Sequence, residues 1–263
     1  MLVKTLELNN NDVYFIETLE DSIIINDNYS GVIILDKKLN FVKKIRLIDD
    51  LMIYSVAKYK SEILLYCPDN DCLIYVDTLL SRHIVISTKD FMDLKFSLLY
   101  AWNEEHIILS DYQKNFFKID LNNRCLKKLS IKDHEYYHIV NDYFILNKFS
   151  IYMINNVEKR ALVRSSKTEI SLISYEKTIK VLQIIDMENY HSFETCSGII
   201  AKIGEKKLEI LFNKTKKTQY SSSGFNFLSG KFLKESKKNI FFLLSGDKSD
   251  LSKSKIQKYI IEM

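Results

Sequence analysis

The chain has 263 residues, of which 46% are hydrophobic and 27% are charged, a composition typical of a globular protein with a sizeable core. Its net charge of +4 is small for this length, which argues against a protein that depends on a dense basic surface to bind nucleic acid. No apolar run approaches the roughly eighteen residues that a membrane-spanning helix needs, so membrane insertion is not expected.

The amino-terminal residues and the cysteines indicate a compartment. The first residues lack a long apolar stretch with a cleavage site, so the sequence predicts no secretory signal. Cys67, Cys72, Cys125 and Cys196 lie in apolar runs or beside turns. Together these features favour reduced thiols and a cytoplasmic location.

Short apolar runs follow one another along the chain and predict strands. Residues 2–8 alternate in character as a half-buried strand does. Runs of four to eight residues, rich in β-branched and aromatic side chains, then alternate with polar turns. In chain order these runs are 13–16, 22–25, 32–35, 41–47, 53–57, 63–66, 73–76, 83–86, 96–102, 107–109, 116–119 and 126–131. The best helical candidate is the short segment 231–238, and the Ser/Lys-rich segment 245–255 predicts a mobile loop.

An aspartate closes the third run of each of the first three units. These are Asp36, Asp77 and Asp120, spaced 41 and 43 residues apart. Weaker matches at the same position are Tyr175, Asn213 and Glu262. A period of about 40–45 residues with four strands in each unit is typical of a β-propeller. The longer interval from 120 to 175 predicts an extended hairpin near 141–156, or one further blade.

The two ends of the chain predict how this array closes. The last unit stops at its third strand, 255–261, and the first strand, 2–8, belongs to no complete unit. Pairing these two strands would complete the last blade and remove unpaired sheet edges. The sequence therefore predicts an all-β fold, with one β-propeller domain over 1–263. Six four-stranded blades are expected, with seven as the alternative, and the amino-terminal strand closes the carboxy-terminal blade.

This repeat pattern resembles the β-propeller superfamily, particularly six-bladed rings of the TolB-like or NHL-like kind. The resemblance covers the whole chain and is carried by Asp36, Asp77 and Asp120, each of which follows an apolar strand. The Trp-Asp and Gly-His pairs of WD repeats are absent, because the one tryptophan, Trp102, precedes Asn103. With six glycines the chain also lacks the paired glycines of kelch repeats. The resemblance assigns no specific family and carries over no functional residue.

One short motif has the spacing of a zinc site. His134, Glu135 and His138 match H-E-x-x-H, which binds zinc when a helix places both imidazoles on one face. Here the intervening Tyr136 and Tyr137 favour a strand, so the sequence favours a connecting segment with polar histidines. These three residues are the metal candidates, and no cofactor is predicted.

Other clusters favour structural interpretations. Cys67 and Cys72 flank a turn, and a hairpin that brings two small residues face to face is favoured over a metal or redox pair. The acidic turns 69–71 and 247–250 lack the glycine and glutamate of an EF-hand, so Asx turns are favoured over calcium sites. Lysines at 206–207, 214–217 and 237–238 predict solvated surface, with a basic face for an acidic partner as the alternative.

Five tyrosines near predicted turns are the candidate binding residues. They are Tyr29, Tyr112, Tyr136, Tyr137 and Tyr190. Aromatic side chains at loop tips are common anchors of protein interfaces. Each of them also fits a structural role, in which its hydroxyl reaches a loop carbonyl.

The function that these features favour is non-catalytic binding of a protein or peptide by an interaction scaffold. No G-x-S-x-G motif or glycine-rich phosphate loop occurs, so no catalytic residue is assigned. One alternative is a hydrolase or lyase with a metal-assisted site at the central channel, to which His106 or His191 could contribute. The other, less supported alternative is a sensor of an anionic ligand or nucleic acid.

Overall fold

The computed structural model describes residues 1–91, 96–102, 107–111, 115–129, 150–155, 160–175, 178–196, 199–212, 216–222, 224–235 and 238–261. Nearly all of the regular structure in these residues is β-strand. Two single turns of 3-10 helix, Pro68–Asn70 and Lys89–Phe91, accompany the strands. Within the described ranges, no helix has the length and apolar character needed to cross a membrane.

The strands are short, and their bounds follow the apolar runs of the sequence. They are β1 (Leu2–Asn9), β2 (Ile16–Thr18), β3 (Ser22–Asp27), β4 (Gly31–Asp36), β5 (Phe41–Arg46), β6 (Ser55–Tyr59), β7 (Glu62–Cys67), β8 (Cys72–Asp77), β9 (Arg82–Ser87), β10 (Phe96–Trp102), β11 (Ile107–Asp111), β12 (Phe116–Asp120), β13 (Cys125–Lys128), β14 (Ser150–Asn155), β15 (Arg160–Arg164), β16 (Glu169–Ser174), β17 (Lys180–Asp186), β18 (Ser192–Cys196), β19 (Ile199–Ile203), β20 (Lys207–Phe212), β21 (Lys216–Ser221), β22 (Asn226–Lys234), β23 (Asn239–Gly246) and β24 (Lys253–Ile261).

In the described part of the chain, these strands form six four-stranded antiparallel sheets, the blades of a six-bladed β-propeller. Blades 1 to 5 each use four consecutive strands: β2–β5, β6–β9, β10–β13, β14–β17 and β18–β21. Blade 6 has the order β1-β24-β23-β22. The predicted fold class is therefore confirmed, with six blades in the described residues.

Blade 6 is closed by the amino-terminal strand, as predicted. β1 pairs antiparallel with β24, with Leu6 opposite Ile256 and Glu7 opposite Lys255. The amino-terminal ammonium of Met1 donates to the Ile260 carbonyl at 2.7 Å, and the Ile260 amide donates back to the Met1 carbonyl at 3.0 Å. The pairing joins the two ends of the chain in one sheet.

The middle strands of blade 1 are apolar on both faces because both faces are buried. Ile23, Ile24 and Ile25 are fully buried in β3. Ile24 packs in a cluster with residues of blade 2, whereas Ile23 and Ile25 pack in a cluster with residues of blade 6 such as Phe242. A continuous apolar run is what a strand between two packed layers requires. By contrast the outer strand β5 exposes Phe41 and Val42.

Hydrogen bonds within the following turn explain why an aspartate recurs at the end of the third strand. The Asp36 carboxylate accepts the backbone amides of Lys38 and Asn40 at 2.7 and 2.8 Å. Asp77 accepts the amides of Leu79 and Leu80, both at 3.0 Å, and Asp120 accepts that of Asn123 at 2.9 Å. Each aspartate therefore caps the turn between the third and fourth strands of its blade.

Only one of the three weaker matches falls in the described residues. Tyr175 follows β16 and is buried in the core of blade 4, so it holds the position without capping a turn through a carboxylate. Asn213 and Glu262 lie outside the described residues. The long interval from 120 to 175 falls mainly between β13 and β14, and residues 130–149 of it are outside the described part.

Two local expectations were wrong. Residues 231–234 of the helical candidate 231–238 are strand, because β22 runs to Lys234 and pairs Phe232 with Phe241 of β23. The segment 245–255 is not one loop, since β23 extends to Gly246 and β24 begins at Lys253. In both places pairing with a neighbouring strand decides the conformation, and local composition does not.

The structure comprises two compact units. One contains residues 1–127 and 190–263, and the other contains 128–189. The smaller unit holds the four strands of blade 4 around Ala161, Val163 and Ile173. The sites described below belong to the larger unit.

The closing strand gives the first testable prediction. Leu6 and Leu8 of β1 are half-buried and pack against the cluster shared by blades 1 and 6. Replacing both with alanine should lower the free energy of unfolding by about 2–3 kcal/mol, because partly buried methyl groups are lost. Urea unfolding followed by circular dichroism measures this change.

The matched control is Val3→Ala, which truncates an exposed side chain of the same strand. It should change the unfolding free energy by less than about 0.5 kcal/mol. Equal stability of the double variant and the control would mean that β1 does not hold blade 6 closed.

Candidate functional site

Each blade has one end at which the chain enters its first strand. Because the strands alternate in direction, the turn between the second and third strands lies at this same end. We term it the connector end. Backbone hydrogen bonds tie three connectors to the turn of the blade that each leaves: the Leu51 amide to the Tyr29 carbonyl (2.7 Å), Thr88 to Asp71 (2.8 Å) and Asn11 to Ser252 (3.3 Å). The connector ends of blades 6, 1 and 2 are thereby joined.

Tyr29, a predicted binding residue, lies at the connector end of blade 1. Its hydroxyl donates a hydrogen bond to the carboxylate of Asp12, and its ring stacks on Tyr14 with centroids 6.0 Å apart. The side chain is 39% exposed. The hydrogen bond to Asp12, together with partial burial, raises the pKa of Tyr29 to about 12. The phenol is therefore a protonated donor throughout the neutral range.

The buried side chain of Asn26 holds the backbone of the segment that carries Asp12 and Tyr14. The Asn26 side-chain oxygen accepts the amides of Tyr14 and Phe15 at 2.9 and 3.2 Å. Its side-chain nitrogen donates to the carbonyls of Asp12 and Asn28 at 2.6 and 3.0 Å. Because Asn26 is fully buried and fully bonded, the segment that carries Asp12 is held in one conformation.

A second tyrosine–carboxylate pair lies at the connector end of blade 2. Tyr54 donates its hydroxyl to Asp69 at 3.0 Å, which raises the pKa of the phenol, and the side chain is 61% exposed. Asn70 holds the connector by donating to the Asp50 carbonyl and accepting the Met52 amide, both at 3.1 Å. Sequence reasoning missed Tyr54 because it placed 53–57 in a strand, whereas β6 begins at Ser55.

Four aspartates lie in the connectors and turns of blades 1 and 2 that carry the two tyrosines. Asp12, Asp50, Asp69 and Asp71 form no ion pair with any other described residue. We refer to Asp12, Tyr29, Asp50, Tyr54, Asp69 and Asp71 as the Tyr–Asp surface. It joins two exposed aromatic rings with several unneutralised negative charges.

Tyr190 lies at the connector end of blade 5, in a different setting. Its hydroxyl donates to Glu209, whose buried carboxylate lies 3.4 Å from the Lys202 ammonium. The same ammonium lies 4.4 Å from the centre of the Tyr190 ring. Tyr190 thus takes part in a buried network of charge and aromatic contacts.

The other candidates cannot be placed. Tyr112, Tyr136 and Tyr137, the metal candidates His134, Glu135 and His138, and His106 lie outside the described residues. His191, which is described, directs its Nε2 to the Leu228 carbonyl at 3.1 Å. No group of three or more His, Cys, Asp or Glu residues within the described ranges is arranged to hold a metal ion.

A line of alternating charges joins the first strands of four blades. Lys58 of β6 lies 2.7 Å from Glu17 of β2, which in turn lies 3.2 Å from Lys231 of β22. Lys231 also reaches Glu194 of β18 at 3.3 Å. Lys58 additionally donates to the Thr18 carbonyl at 2.5 Å and to its hydroxyl at 3.0 Å. We refer to the four charged residues as the inner ion chain.

The two carboxylates of the inner ion chain differ in acidity. Burial raises the pKa of Glu17, but the charges of Lys231 and Lys58 outweigh burial and hold that pKa below its ordinary value. Burial likewise raises the pKa of Glu194, and here the nearby Glu17 adds to the rise while Lys231 only partly opposes it. Glu17 is therefore firmly ionised, whereas Glu194 protonates more readily than a free glutamate.

The remaining clusters have plain structural explanations. Cys67 and Cys72 face each other in register across the β7–β8 hairpin, so the predicted hairpin is confirmed. Asp247 and Asp250 accept the amides of Ser249 and Ser252, which confirms Asx turns at 247–252. Lys206 and Lys207 lie where β20 begins, and residues 216–217 lie where β21 begins, at the opposite end of that hairpin.

Comparison with known proteins gives the fold and no family. No protein-family model and no curated protein matches the sequence. YCF48 from Cyanidioschyzon merolae has a TM-score of 0.60 at 10% identity, over 98% of this chain and 98% of that chain. The chain is a β-propeller. At this level of identity the likeness shows the fold alone.

Two further solved structures are less similar. PorZ of the type-IX secretion system of Porphyromonas gingivalis has a TM-score of 0.48 at 10% identity over 95% of this chain. This propeller spans only 32% of the PorZ chain. A structure of S. cerevisiae Dbp5 bound to Nup159 gives a TM-score of 0.44 at 10% identity, over 95% of this chain and 76% of the matched chain.

The inner ion chain gives the second prediction, which compares two substitutions that each remove one carboxylate from Lys231. Glu17→Gln should lower the free energy of unfolding at pH 7 by about 2 kcal/mol, since it leaves two lysines without their shared partner. Glu194→Gln should leave stability unchanged or raise it slightly, because glutamine resembles the protonated form that burial favours. Urea unfolding at several pH values measures both changes.

The two substitutions should change the free energy of unfolding in opposite directions, and each change should depend on pH. A lowered folded-state pKa stabilises the protein above the unfolded pKa, so the loss caused by Glu17→Gln should shrink as the pH falls below about 4. A raised folded-state pKa acts oppositely, so any gain from Glu194→Gln should appear as the pH rises above about 4. Equal effects of the two substitutions at pH 7 would contradict the assigned charges.

Proposed function

We propose that this propeller is a non-catalytic binding module that holds a protein or peptide partner at the connector ends of blades 1 and 2. The observation that carries this proposal is the Tyr–Asp surface. It exposes two tyrosines whose hydroxyls are already bonded to carboxylates. Tyrosine is among the residues that contribute most binding energy at protein interfaces.

The surface is ordered before any partner arrives. Asn26 and Asn70 anchor the two connectors, and the blades beneath them are filled by fully buried aliphatic side chains such as Ile24 and Leu65. Preformed anchors reduce the entropy lost on association. A rigid scaffold with oriented aromatic side chains therefore suits recognition of a partner.

A hydrolase or lyase at the inner strands is the second candidate. The observation in its favour is that carboxylates and ammonium groups from four blades converge in the inner ion chain. The raised pKa of Glu194 would suit a general acid. Against this candidate, all three protons of the Lys58 ammonium are accepted within the protein, by Glu17 and by two oxygens of Thr18.

The third prediction locates the partner by cross-linking. A photoreactive phenylalanine analogue at position 29 or 54 should cross-link the partner in extract from the native cell, since both side chains are exposed. The same analogue at position 79 or 80 should give no such product. Leu79 and Leu80 are 73% and 59% exposed but lie in the turn between β8 and β9, at the opposite end of blade 2.

Affinity for the cross-linked partner then tests the energetics. Tyr29→Ala combined with Tyr54→Ala should weaken binding at least about tenfold, because aromatic anchors commonly contribute 2 kcal/mol or more. Leu79→Ser with Leu80→Ser, and Glu194→Gln, should bind as the unaltered protein does. Loss of binding only in the Glu194 variant would favour the inner strands as the site and overturn the proposal.

A further inference from the structure

We propose that the Tyr–Asp surface recognises arginine and lysine side chains in a basic segment of the partner. This inference rests on the proposed function, because it names the class of partner that the same surface takes. Each tyrosine places an aromatic ring beside a carboxylate. A cationic side chain can lie over such a ring and pair with such a carboxylate at once.

Both carboxylates keep the capacity to accept further hydrogen bonds. Within the described residues, Asp12 and Asp69 each accept one side-chain hydrogen bond, on Oδ2 from a tyrosine hydroxyl. An ionised carboxylate offers about four acceptor positions, so Oδ1 of each is available to a guanidinium or an ammonium. The tyrosine hydroxyl holds the carboxylate in place without neutralising its charge.

Charge on this surface differs in sign from the charge of the whole chain. The protein carries a net charge of +4, yet Asp12, Asp50, Asp69 and Asp71 lack basic partners among the described residues. Arg46, the nearby guanidinium, is already paired with Asp49 at 2.7 Å. The local field therefore attracts cations and repels nucleic acid and acidic peptides.

The spacing of the two pairs limits the partner sequence. The Leu51 amide bonds the Tyr29 carbonyl, and Tyr54 follows Leu51 by three residues. Three residues span at most about 10 Å. An extended peptide rises about 3.3 Å per residue, so basic residues two to four positions apart would reach both pairs.

Labelled peptides test this inference directly. Fluorescence anisotropy would measure binding of the complete chain to three heptapeptides, Gly-Arg-Gly-Arg-Gly-Arg-Gly and its lysine and glutamate counterparts. The arginine peptide should bind most tightly, because its planar fork matches a carboxylate and stacks on a ring, and the glutamate peptide should not bind. Raising the salt concentration from 50 to 300 mM should weaken arginine-peptide binding at least about tenfold.

Matched variants separate specific recognition from general attraction. Asp12→Asn with Asp69→Asn should weaken arginine-peptide binding at least about tenfold. Glu20→Gln with Asp21→Asn removes the same charge from the turn between β2 and β3, at the opposite end of blade 1, and should bind normally. Equal binding by these two double variants would overturn the inference. Tyr54→Ala, at an exposed side chain, serves as a second test if the Asp12 substitution unfolds the chain.

The cross-linked partner distinguishes failure of this inference from failure of the proposed function. A partner captured through positions 29 and 54 whose contacting segment holds no arginine or lysine would overturn the inference and leave the binding module intact. Capture through neither position would overturn the proposed function as well. A contacting segment with basic residues two to four apart would support both.

Discussion

The antiparallel pairing of β1 with β24 is the interaction on which the rest of the structure depends. Without it, β24 would end blade 6 as an open edge with a row of unbonded amides and carbonyls. The pairing also seats Leu6 and Leu8 on the cluster that unites blades 6 and 1. Asp12 lies in the connector that follows β1, and Tyr29 lies in the turn between β3 and β4 of blade 1. The position of the candidate surface therefore depends on the pairing of β1 with β24.

Carboxylates have different roles in the inner ion chain and at the Tyr–Asp surface. In the inner ion chain, ammonium and carboxylate groups alternate and satisfy one another, and the Thr18 hydroxyl extends the chain to the Phe232 carbonyl at 2.8 Å. This arrangement joins the first strands of blades 5, 6, 1 and 2. At the Tyr–Asp surface Asp12 and Asp69 are bonded to neutral phenols instead, so their charge is left for a partner. The inner ion chain and the Tyr–Asp surface differ in burial: the Glu17 side chain is 6% exposed, whereas those of Tyr29 and Tyr54 are 39% and 61% exposed.

The features that the sequence predicted correctly depend on interactions between residues that are close together in the chain. The apolar runs became strands because short runs of β-branched and aromatic residues between polar turns favour strands locally. Asp36, Asp77 and Asp120 marked the blades because each caps a turn a few residues away. Tyr29 could be singled out as a tyrosine beside a turn. Its partner could not, because Asp12 lies 17 residues earlier in a connector.

What sequence reasoning missed depends on distant residues. Glu17 and Lys231 meet only because blade 6 closes on blade 1, and no local pattern relates two positions so far apart. The segment 231–238 was mistaken for a helix because its partner strand, β23, was not in view. Tyr54 was hidden by an error of two residues in the start of β6.

Blade 6 is built from both ends of the chain, and this affects how the protein is made in the cell. Leu6 leaves the ribosome before its partner Ile256, which is translated 250 residues later. At about 5–20 residues per second, the opening strand waits on the order of tens of seconds for its neighbour. During that interval the nascent chain exposes an unpaired, partly apolar strand, so shielding by chaperones is most valuable before Ile256 has been translated.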